Sequence, residues 1–292
     1  MRVYGSDAIR NVAFVGHGGS GKTTLVDALA FVSGASRRHG NIKDGTTLTD
    51  YTPDEIARQH SISLGLAYAE WMETKLNLLD TPGYLDFFGE VVTGLHAADA
   101  AVVVVSGVSG VEVGTEKAWE VCDRLHLPRL IFVGQMDKEH ANFERVFADV
   151  KAHLSPKVLP VEVPIGEGPS FRGIVNLFSG KSHIYKPGTK SGEYDEVEVP
   201  AEHQAEVKKY SDLLIETVAA TDDALIERYL GGEEIPREEV IAALKKAVVA
   251  GSIVPLFVGS ATLTFGMRAL LTKLVEIFPA AADVPPPVGA PL

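Results

Sequence analysis

Cysteine is almost missing from this sequence of 292 residues, and long apolar runs are missing altogether. Because Cys122 is the only cysteine, no disulfide can form within the chain, and a reducing compartment is the default expectation. No apolar run approaches the roughly 20 residues of a membrane span, and the first residues lack the basic-then-apolar order of a secretory signal. We therefore expect a cytoplasmic protein with no membrane contact and no disulfide partner.

Basic residues are also scarce, since 27 lysines and arginines stand against 39 aspartates and glutamates. The resulting net charge of -12 argues against a broad nucleic-acid-binding surface on this chain alone, although it leaves a local RNA contact open. Hydrophobic residues make up 46% of the chain and charged residues 23%, which is ordinary for a globular protein. A chain of this length can bury one large core or two smaller ones.

One glycine-rich stretch organises the chain. Its residues are Gly16, His17, Gly18, Gly19, Ser20, Gly21, Lys22, Thr23 and Thr24. The stretch lies between an apolar run and an amphipathic segment, and its spacing is that of a phosphate-binding P-loop. Successive backbone N–H groups in such a loop point at an anion, Lys22 is expected to reach the outer phosphates, and the Thr23 hydroxyl is expected to ligate Mg²⁺. The pattern predicts a nucleotide phosphate site, and a chance match in a glycine-rich loop is the alternative.

Strand-like and helical runs alternate over the first half of the chain, which is the rhythm of a parallel sheet covered by helices on both faces. The predicted strands are 11–15, 62–70, 75–80, 100–105, 129–134 and 253–258, and the predicted helices are 22–32, 87–96, 115–125, 143–154 and 267–278. The second and third strands are too close for a crossover helix, so an antiparallel hairpin is expected at one edge. The expected fold class is three-layer α/β/α with a mostly parallel six-stranded sheet.

The alternation ends after Leu154. Four prolines separate short apolar pieces between residues 156 and 169, and long amphipathic helices are predicted at 200–219 and 237–250. We therefore predict a core formed by residues 1–158 and 253–282, with an α+β subdomain, residues 159–252, inserted in it. Residues 283–292 are rich in proline and are expected to link this chain to a following domain of a longer protein.

A second motif, Asp80-Thr81-Pro82-Gly83, follows the apolar run 76–79. A carboxylate at the tip of a strand beside a P-loop can hold Mg²⁺ through a water, and Gly83 can offer its N–H to the γ-phosphate. Thr-Pro-Gly is also favourable turn chemistry, so a plain strand-to-turn junction is the alternative.

Two segments are candidates for reading a base. Asp137 closes the segment Gly134-Gln135-Met136-Asp137, and an aspartate there can pair with N1–H and the 2-amino group of guanine, which adenine does not present in that form. A helix-capping role for Asp137 is the alternative. Ser260-Ala261 follows the last strand, where a backbone N–H could meet the guanine carbonyl oxygen.

Residues 44–63 form a long polar stretch between the phosphate motifs and have the length of a phosphate-sensing switch.

The order of these motifs is that of the GTPases, and in detail the chain resembles the N-terminal GTP-binding region of translation elongation factor G over essentially all of its length. The motifs that carry the resemblance are Gly16–Thr24, the switch segment Asp50–Ile62, Gly83-Tyr84-Leu85-Asp86-Phe87, Gly110-Val111-Glu112 and Met136-Asp137-Lys138. The inserted subdomain is a feature of this factor and its closest relatives. The resemblance implies a P-loop GTPase fold, GTP or GDP and Mg²⁺ as cofactors, and the ribosome as partner of the full-length protein.

The departures from this family lie inside the site. Tyr84 stands where the family has the histidine that positions the attacking water, Ser61 replaces the threonine that contacts Mg²⁺, and Gly19 replaces a P-loop aspartate. Gly134 and Gln135 replace an Asn-Lys pair that braces the base pocket, so weaker guanine binding is expected. These changes indicate a divergent paralogue of elongation factor G rather than the housekeeping translocase.

The resemblance therefore implies a GTPase domain that converts GTP to GDP and phosphate, with the ribosome as its activator, and we expect a monomer. The implied catalytic residues are Lys22, Gly83 and Tyr84, the nucleotide contacts are residues 16–24 with Gln135, Asp137, Ser260 and Ala261, and the Mg²⁺ ligands are Thr23, Ser61 and Asp80. An alternative is a module that senses GTP or GDP on the ribosome with little turnover, because Tyr84 replaces the histidine. An ATP-using P-loop kinase is a weaker alternative, since it gives the later motifs no role.

Overall fold

The structure is a computed structural model that describes residues 2–189 and 191–284, so the predicted linker lies outside the described residues from residue 285 onward. The strands are β1 Ile9–Val15, β2 Gly65–Trp71, β3 Thr74–Asp80, β4 Ala100–Ser106, β5 Arg129–Gly134, β6 Val158–Pro160, β7 Glu162–Ile165, β8 Gly173–Asn176, β9 Lys181–Tyr185, β10 Tyr194–Glu198 and β11 Val254–Val258. The α-helices are α1 Lys22–Val32, α2 Pro53–Arg58, α3 Phe88–Ala97, α4 Val113–Arg124, α5 Phe143–His153, α6 Gln204–Ala219, α7 Asp223–Leu230, α8 Arg237–Val249 and α9 Met267–Ile277.

The first sheet has seven strands in the order β2-β3-β1-β4-β5-β11-β6. All neighbouring pairs are parallel except β2 and β3, which form the predicted antiparallel hairpin at the edge. Strand β4 is buried along its whole length, as expected for a central strand with helices on both faces. Helix α1 packs on α9 and β2, whereas α3 packs on α4 and β1. The α/β fold class and the mostly parallel sheet are confirmed.

The prediction of six strands is wrong by one strand, because β6 joins the sheet beside β11. It pairs through Val158 opposite Val254 and Pro160 opposite Leu256. Its three residues are too few to show a period in the sequence, and proline is tolerated because β6 lies at the sheet edge. The first sheet therefore includes residues 158–160 as an edge strand.

A second, antiparallel sheet has the order β10-β9-β8-β7. Only Val161 separates β6 in the first sheet from β7 in the second, and its N–H donates to the carbonyl of Leu256 in β11 at 3.0 Å. Helices α6, α7 and α8 follow, with α6 packed on both of the others. That residues 159–252 form a separate inserted subdomain stays a prediction.

Two helices were not predicted from the sequence. Helix α2 begins with a capping box, in which the Thr52 hydroxyl accepts from the Glu55 N–H and the Glu55 carboxylate accepts from the Thr52 N–H. Helix α7 begins at an Asp222 cap. Helix α2 is short and lies in polar sequence, and the eight residues of α7, although five are apolar, are too few to establish a helical period.

The carboxyl ends of β1, β3, β4, β5 and β11 meet at one edge of the first sheet, because these strands are parallel. This edge is where parallel α/β sheets bind ligands. None of the helices in the described part of the chain combines the length and apolar composition needed to cross a bilayer.

Candidate nucleotide-binding site

The loop after β1 has the backbone of an anion-binding cradle. Gly16 has a φ of 142°, and a Cβ at this position would collide with the carbonyl oxygen of Val104 in β4. Only glycine fits that conformation and that close approach. The loop then enters α1 at Lys22, so the first N–H groups of the helix face the same side as the loop.

Lys22 is buried with only 5% of its surface exposed, and its ammonium group is held by loop carbonyls. Nζ donates to the oxygens of Gly16 at 3.0 Å and His17 at 2.9 Å. Burial lowers the pKa of Lys22 to about 8, while the charges of Asp80, Asp50 and Glu112 oppose the shift. An anion placed beside Nζ would stabilise the charged form, which is the role predicted for Lys22 toward phosphate.

The three predicted metal ligands are brought together. The Thr23 and Ser61 hydroxyls lie 3.1 Å apart, and Asp80 Oδ2 accepts a hydrogen bond from Thr49 at 2.6 Å. Asp80 Oδ1 is buried and has no hydrogen-bond partner among the described residues. Burial raises the pKa of Asp80 to about 6.

Asp50 adds a second carboxylate that the sequence analysis did not select. Both of its oxygens are buried, and neither makes a hydrogen bond of normal geometry to a described residue. Burial raises the pKa of Asp50, and the nearby Ser61 hydroxyl lowers it in part. Two carboxylates and two hydroxyls with unused oxygen lone pairs match the hard oxygen ligands that Mg²⁺ prefers. Over residues 2–189 and 191–284 there is no cluster of three or more His, Cys, Asp or Glu side chains that could hold a metal ion.

The segment after β3 lies directly on the P-loop. A Cβ at Gly83 would collide with Lys22 Nζ and with the Gly18 nitrogen, so Gly83 is in close contact with both. The ring of Tyr84 covers Gly18, since a Cβ added there would be 3.1 Å from Tyr84 Cζ. A cavity of about 190 Å³ separates these groups from the switch segment.

His60 is a further residue of this cavity that the sequence analysis missed. Its ring centroid lies 4.7 Å from that of Tyr84, with the planes tilted by 55°. It precedes Ser61 in the switch segment, but nothing in the local sequence shows that the chain brings it against Tyr84. An imidazole is therefore present beside Tyr84, although it comes from a different segment.

Gln135 corrects the expectation that the base pocket has lost its brace. Its amide nitrogen donates to the Gly19 carbonyl at 2.9 Å, and its amide oxygen accepts from the Ser106 hydroxyl at 2.7 Å. The side chain therefore ties the P-loop to the ends of β4 and β5. The backbone of Gln135 is left-handed, with a φ of 61°, which turns the side chain back toward the P-loop.

Beside Gln135, a narrow cavity of about 60 Å³ contains the predicted base-reading groups. Asp137 is half-buried there, and its carboxylate has no hydrogen-bond or ion-pair partner among the described residues. The Ser260 N–H donates to the Phe265 carbonyl at 3.0 Å, so of the pair Ser260-Ala261 only the Ala261 N–H remains for a base. Ala261 and Thr262 line the cavity opposite Asp137.

Most of the predicted site residues line these two cavities. The phosphate cavity is lined by Gly18, Gly19, Gly21, Lys22, Thr23, Thr24, Ser61, Gly83, Tyr84 and Gln135, and the base cavity by Ser20, Gly21, Thr24, Gln135, Asp137 and Ala261. Gly16, His17, Asp80 and Ser260 line neither cavity. The Nδ1 of His17 accepts from the Gly114 N–H at 3.2 Å, and its Nε2 lies 3.5 Å from Glu112. His17 therefore fastens the P-loop to the start of α4.

Comparison with known proteins agrees with this geometry. The family model described as the elongation factor Tu GTP binding domain matches residues 7–280. The fold is similar to the crystal structure of ttk003000868 from Thermus thermophilus, with a TM-score of 0.87 and 39% sequence identity. That match covers 94% of this chain and 41% of the Thermus protein, so the chain spans less than half the length of that protein. With the P-loop, the Asp80 motif and the Asp137 pocket in place, the chain belongs to the family of elongation factor Tu GTP-binding domains.

Proposed function

We propose that this chain is the GTP-binding domain of an elongation factor G-like translational GTPase, cytoplasmic and active on the ribosome as part of a longer protein. One observation carries the proposal. The phosphate cavity and the base cavity share Gly21, Thr24, Gln135 and Lys138 in their linings, so one guanine nucleotide can lie across both. The second sheet lies in the region that resembles the inserted subdomain of elongation factor G, and this favours that branch of the family.

The residues in and around the phosphate cavity would have different roles. Lys22 and the loop N–H groups bind the phosphates, and Gly83 offers its N–H to the outermost one. Thr23, Ser61, Asp80 and Asp50 would hold Mg²⁺, which neutralises phosphate charge when bound. Tyr84 lies over Gly18, where a hydroxyl can orient a water. Hydrolysis would then depend on positioning and on electrostatic stabilisation by this chain.

The bond between Thr23 and Ser61 joins α1 to the switch segment. Phosphate and Mg²⁺ would add contacts on both sides of this bond and order residues 44–63, and loss of the γ-phosphate would release them.

A GTP-sensing module with little turnover is the second candidate, and Tyr84 favours it. A phenol can hydrogen-bond a water but cannot carry the positive charge of an imidazolium. If this candidate holds, Tyr84→His raises ribosome-stimulated turnover of the complete protein more than tenfold. Unchanged turnover counts against it.

The test of the base site is a calorimetric titration of the chain with GDP, GTP and ATP in the presence of Mg²⁺. We expect guanine nucleotides to bind at about micromolar affinity or tighter and ATP about a hundredfold more weakly, which corresponds to about 3 kcal/mol. Asp137→Asn should reduce this discrimination about tenfold or more, whereas Asp223→Asn, an exposed change on α7, should leave it intact. Equal binding of GTP and ATP, or no binding of either, would contradict the proposal.

A further inference from the structure

A third cavity, of about 660 Å³, lies outside the nucleotide site. It is lined by the end of α1 and the segment after it, by loops beside β8 and β9 of the second sheet, and by the loop after β11, and we call it the Arg37 cavity after one of its lining residues. Its volume lies within the range of small-molecule sites. Neither Lys22 nor Asp137 lines it, and Thr262 is the one lining residue that it shares with the base cavity.

Aromatic rings form much of the wall of the Arg37 cavity. Phe31 and His39 are stacked with centroids 5.5 Å apart and planes within 11°. On another side, Phe171 and Phe265 lie 6.0 Å apart. Phe31 and His39 are half-buried, so each leaves part of a ring open to a planar ligand, whereas Phe171 and Phe265 are buried and Phe265 is itself stacked on Tyr185.

Positive charge lies beside these rings. Arg37 and Arg38 both line the cavity and are exposed, and none of the described residues that line it is acidic. Within the described residues, Arg37 has no hydrogen-bond or ion-pair partner, and Arg38 donates only to the neutral carbonyl of Thr46, at 3.2 Å. Two guanidinium groups without a carboxylate stand out in a chain whose net charge is -12. Guanidinium pairs best with carboxylate or phosphate.

His39 adds an unused polar group. Its Nε2 is buried and has no hydrogen-bond partner among the described residues, and burial lowers the pKa of the ring. Because this nitrogen is buried, the ring would have to turn before its one free hydrogen-bonding group could reach a heterocycle. Of the three threonines in the lining, Thr189 and Thr264 already donate their hydroxyls to the carbonyls of Lys186 and Leu263, so Thr262 is the one whose hydroxyl has no partner among the described residues.

We propose that the Arg37 cavity is a second nucleotide site, which binds a nucleoside monophosphate unit with its base against the aromatic walls and its phosphate on Arg37 and Arg38. Base stacking on a ring and a guanidinium–phosphate pair are two of the contacts by which proteins bind such a unit. The unit can be a free nucleotide or an unpaired nucleotide of an RNA, since both present the same groups.

The test is a calorimetric titration of the chain, saturated with GDP and Mg²⁺, with AMP. We expect AMP to bind at about millimolar affinity or tighter, and Arg37→Ala combined with Arg38→Ala to weaken it about tenfold. GDP affinity should change less than about twofold in that variant. Arg124→Ala, an exposed arginine on α4 outside the cavity, is the matched control and should bind AMP like the wild type.

Titration with a short single-stranded oligoadenylate distinguishes RNA from free nucleotide as the source of this unit. Tighter binding of the oligomer than of AMP assigns the cavity to RNA, and equal or weaker binding assigns it to free nucleotide. The proposal is overturned if AMP does not bind the GDP-saturated chain at about 10 mM, or if the double arginine variant binds it unchanged. It does not depend on the proposed GTPase function, because Lys22→Ala should abolish GDP binding and leave AMP binding in place.

Discussion

Gln135 is the residue whose replacement tests the site most directly, and we expect Gln135→Ala to weaken GDP binding about tenfold. The side chain makes two hydrogen bonds, one to Gly19 and one from Ser106. Each contributes a net of about 0.5–1.5 kcal/mol, so the pair contributes about 1–3 kcal/mol. Since both bonds exist before the nucleotide arrives, only the part that pre-organises the P-loop is lost on binding, and the upper bound is about 150-fold.

Alanine is a suitable replacement because the backbone of Gln135 is left-handed. Alanine and glutamine have similar costs at that φ, whereas glycine would relieve the strain and confuse the comparison. Gln135→Glu separates the two bonds: the carboxylate can still accept from Ser106 but cannot donate to the Gly19 carbonyl. We expect the glutamate variant to bind GDP more weakly than the alanine variant, because its charge also repels phosphate.

The assay is calorimetric titration with GDP and Mg²⁺, accompanied by thermal unfolding to show that each variant is folded. Gln204→Ala is the matched control, since the Gln204 amide donates to Val199 far from the site and its loss should not alter GDP affinity. If Gln135→Ala binds GDP within twofold of the wild type while folded, the bridge does not pre-organise the P-loop, and the reasoning is refuted.

Two further predictions concern buried carboxylates. Asp50→Asn should raise the free energy of unfolding of the Mg²⁺-free chain by about 1 kcal/mol at pH 7, because it removes an unpartnered buried acid. The same change should weaken Mg²⁺ binding at least about tenfold. Denaturation in EDTA measures the first effect, and a Mg²⁺ titration measures the second. Burial raises the pKa of Glu162 to about 8, against about 4.3 in the unfolded chain. The folded state therefore holds a proton that the unfolded state has lost, and stability is full below about pH 4 and declines as pH rises to 8. Glu162→Gln should remove this decline and raise the free energy of unfolding at pH 8 by about 2 kcal/mol relative to the wild type, measured by urea unfolding at pH 5 and 8.

Each of these two predictions has an outcome that would contradict it. If Asp50→Asn leaves Mg²⁺ binding unchanged, Asp50 is not part of the metal site. For Glu162 the matched control is Glu216→Gln, an exposed change on α6 that should not alter the pH dependence. A Glu162→Gln variant with the same pH dependence as the wild type would show that another group carries it.

The sequence was sufficient for elements whose signal is local. The P-loop, the hairpin of β2 and β3, and the long helices follow from periodicity and glycine spacing. Strand β6 could not be found this way, because three residues have no period and its pairing partner β11 is about a hundred residues away in the chain. Helix α2 could have been found, since Thr52-Pro53-Asp54-Glu55 has the form of a capping box with proline in the first turn.

The site was predictable where a motif specifies it and unpredictable where two motifs meet. Gln135 looked like a lost contact because the substitution removes an Asn-Lys pair, and only the fold shows that its amide reaches Gly19. His60 and Asp50 belong to the switch segment, and their positions against Tyr84 and Ser61 depend on the path of residues 44–63 across the P-loop. Such contacts join segments far apart in sequence, and no local pattern encodes them.

The position of β11 has a consequence for the order in which this chain can fold. Strand β11 lies between β5 and β6, and the Arg10 guanidinium near the start of the chain donates to the Phe278 carbonyl at 3.1 Å. During synthesis, the edge of β5 therefore stays unpaired until residues 254–258 have left the ribosome. An unpaired apolar edge is prone to aggregation, and pairings that close long loops are slow to form. The nucleotide pocket, which needs the loop after β11, is thus among the last parts of the domain to become complete, and a nascent chain should bind GTP only after nearly the whole domain has emerged.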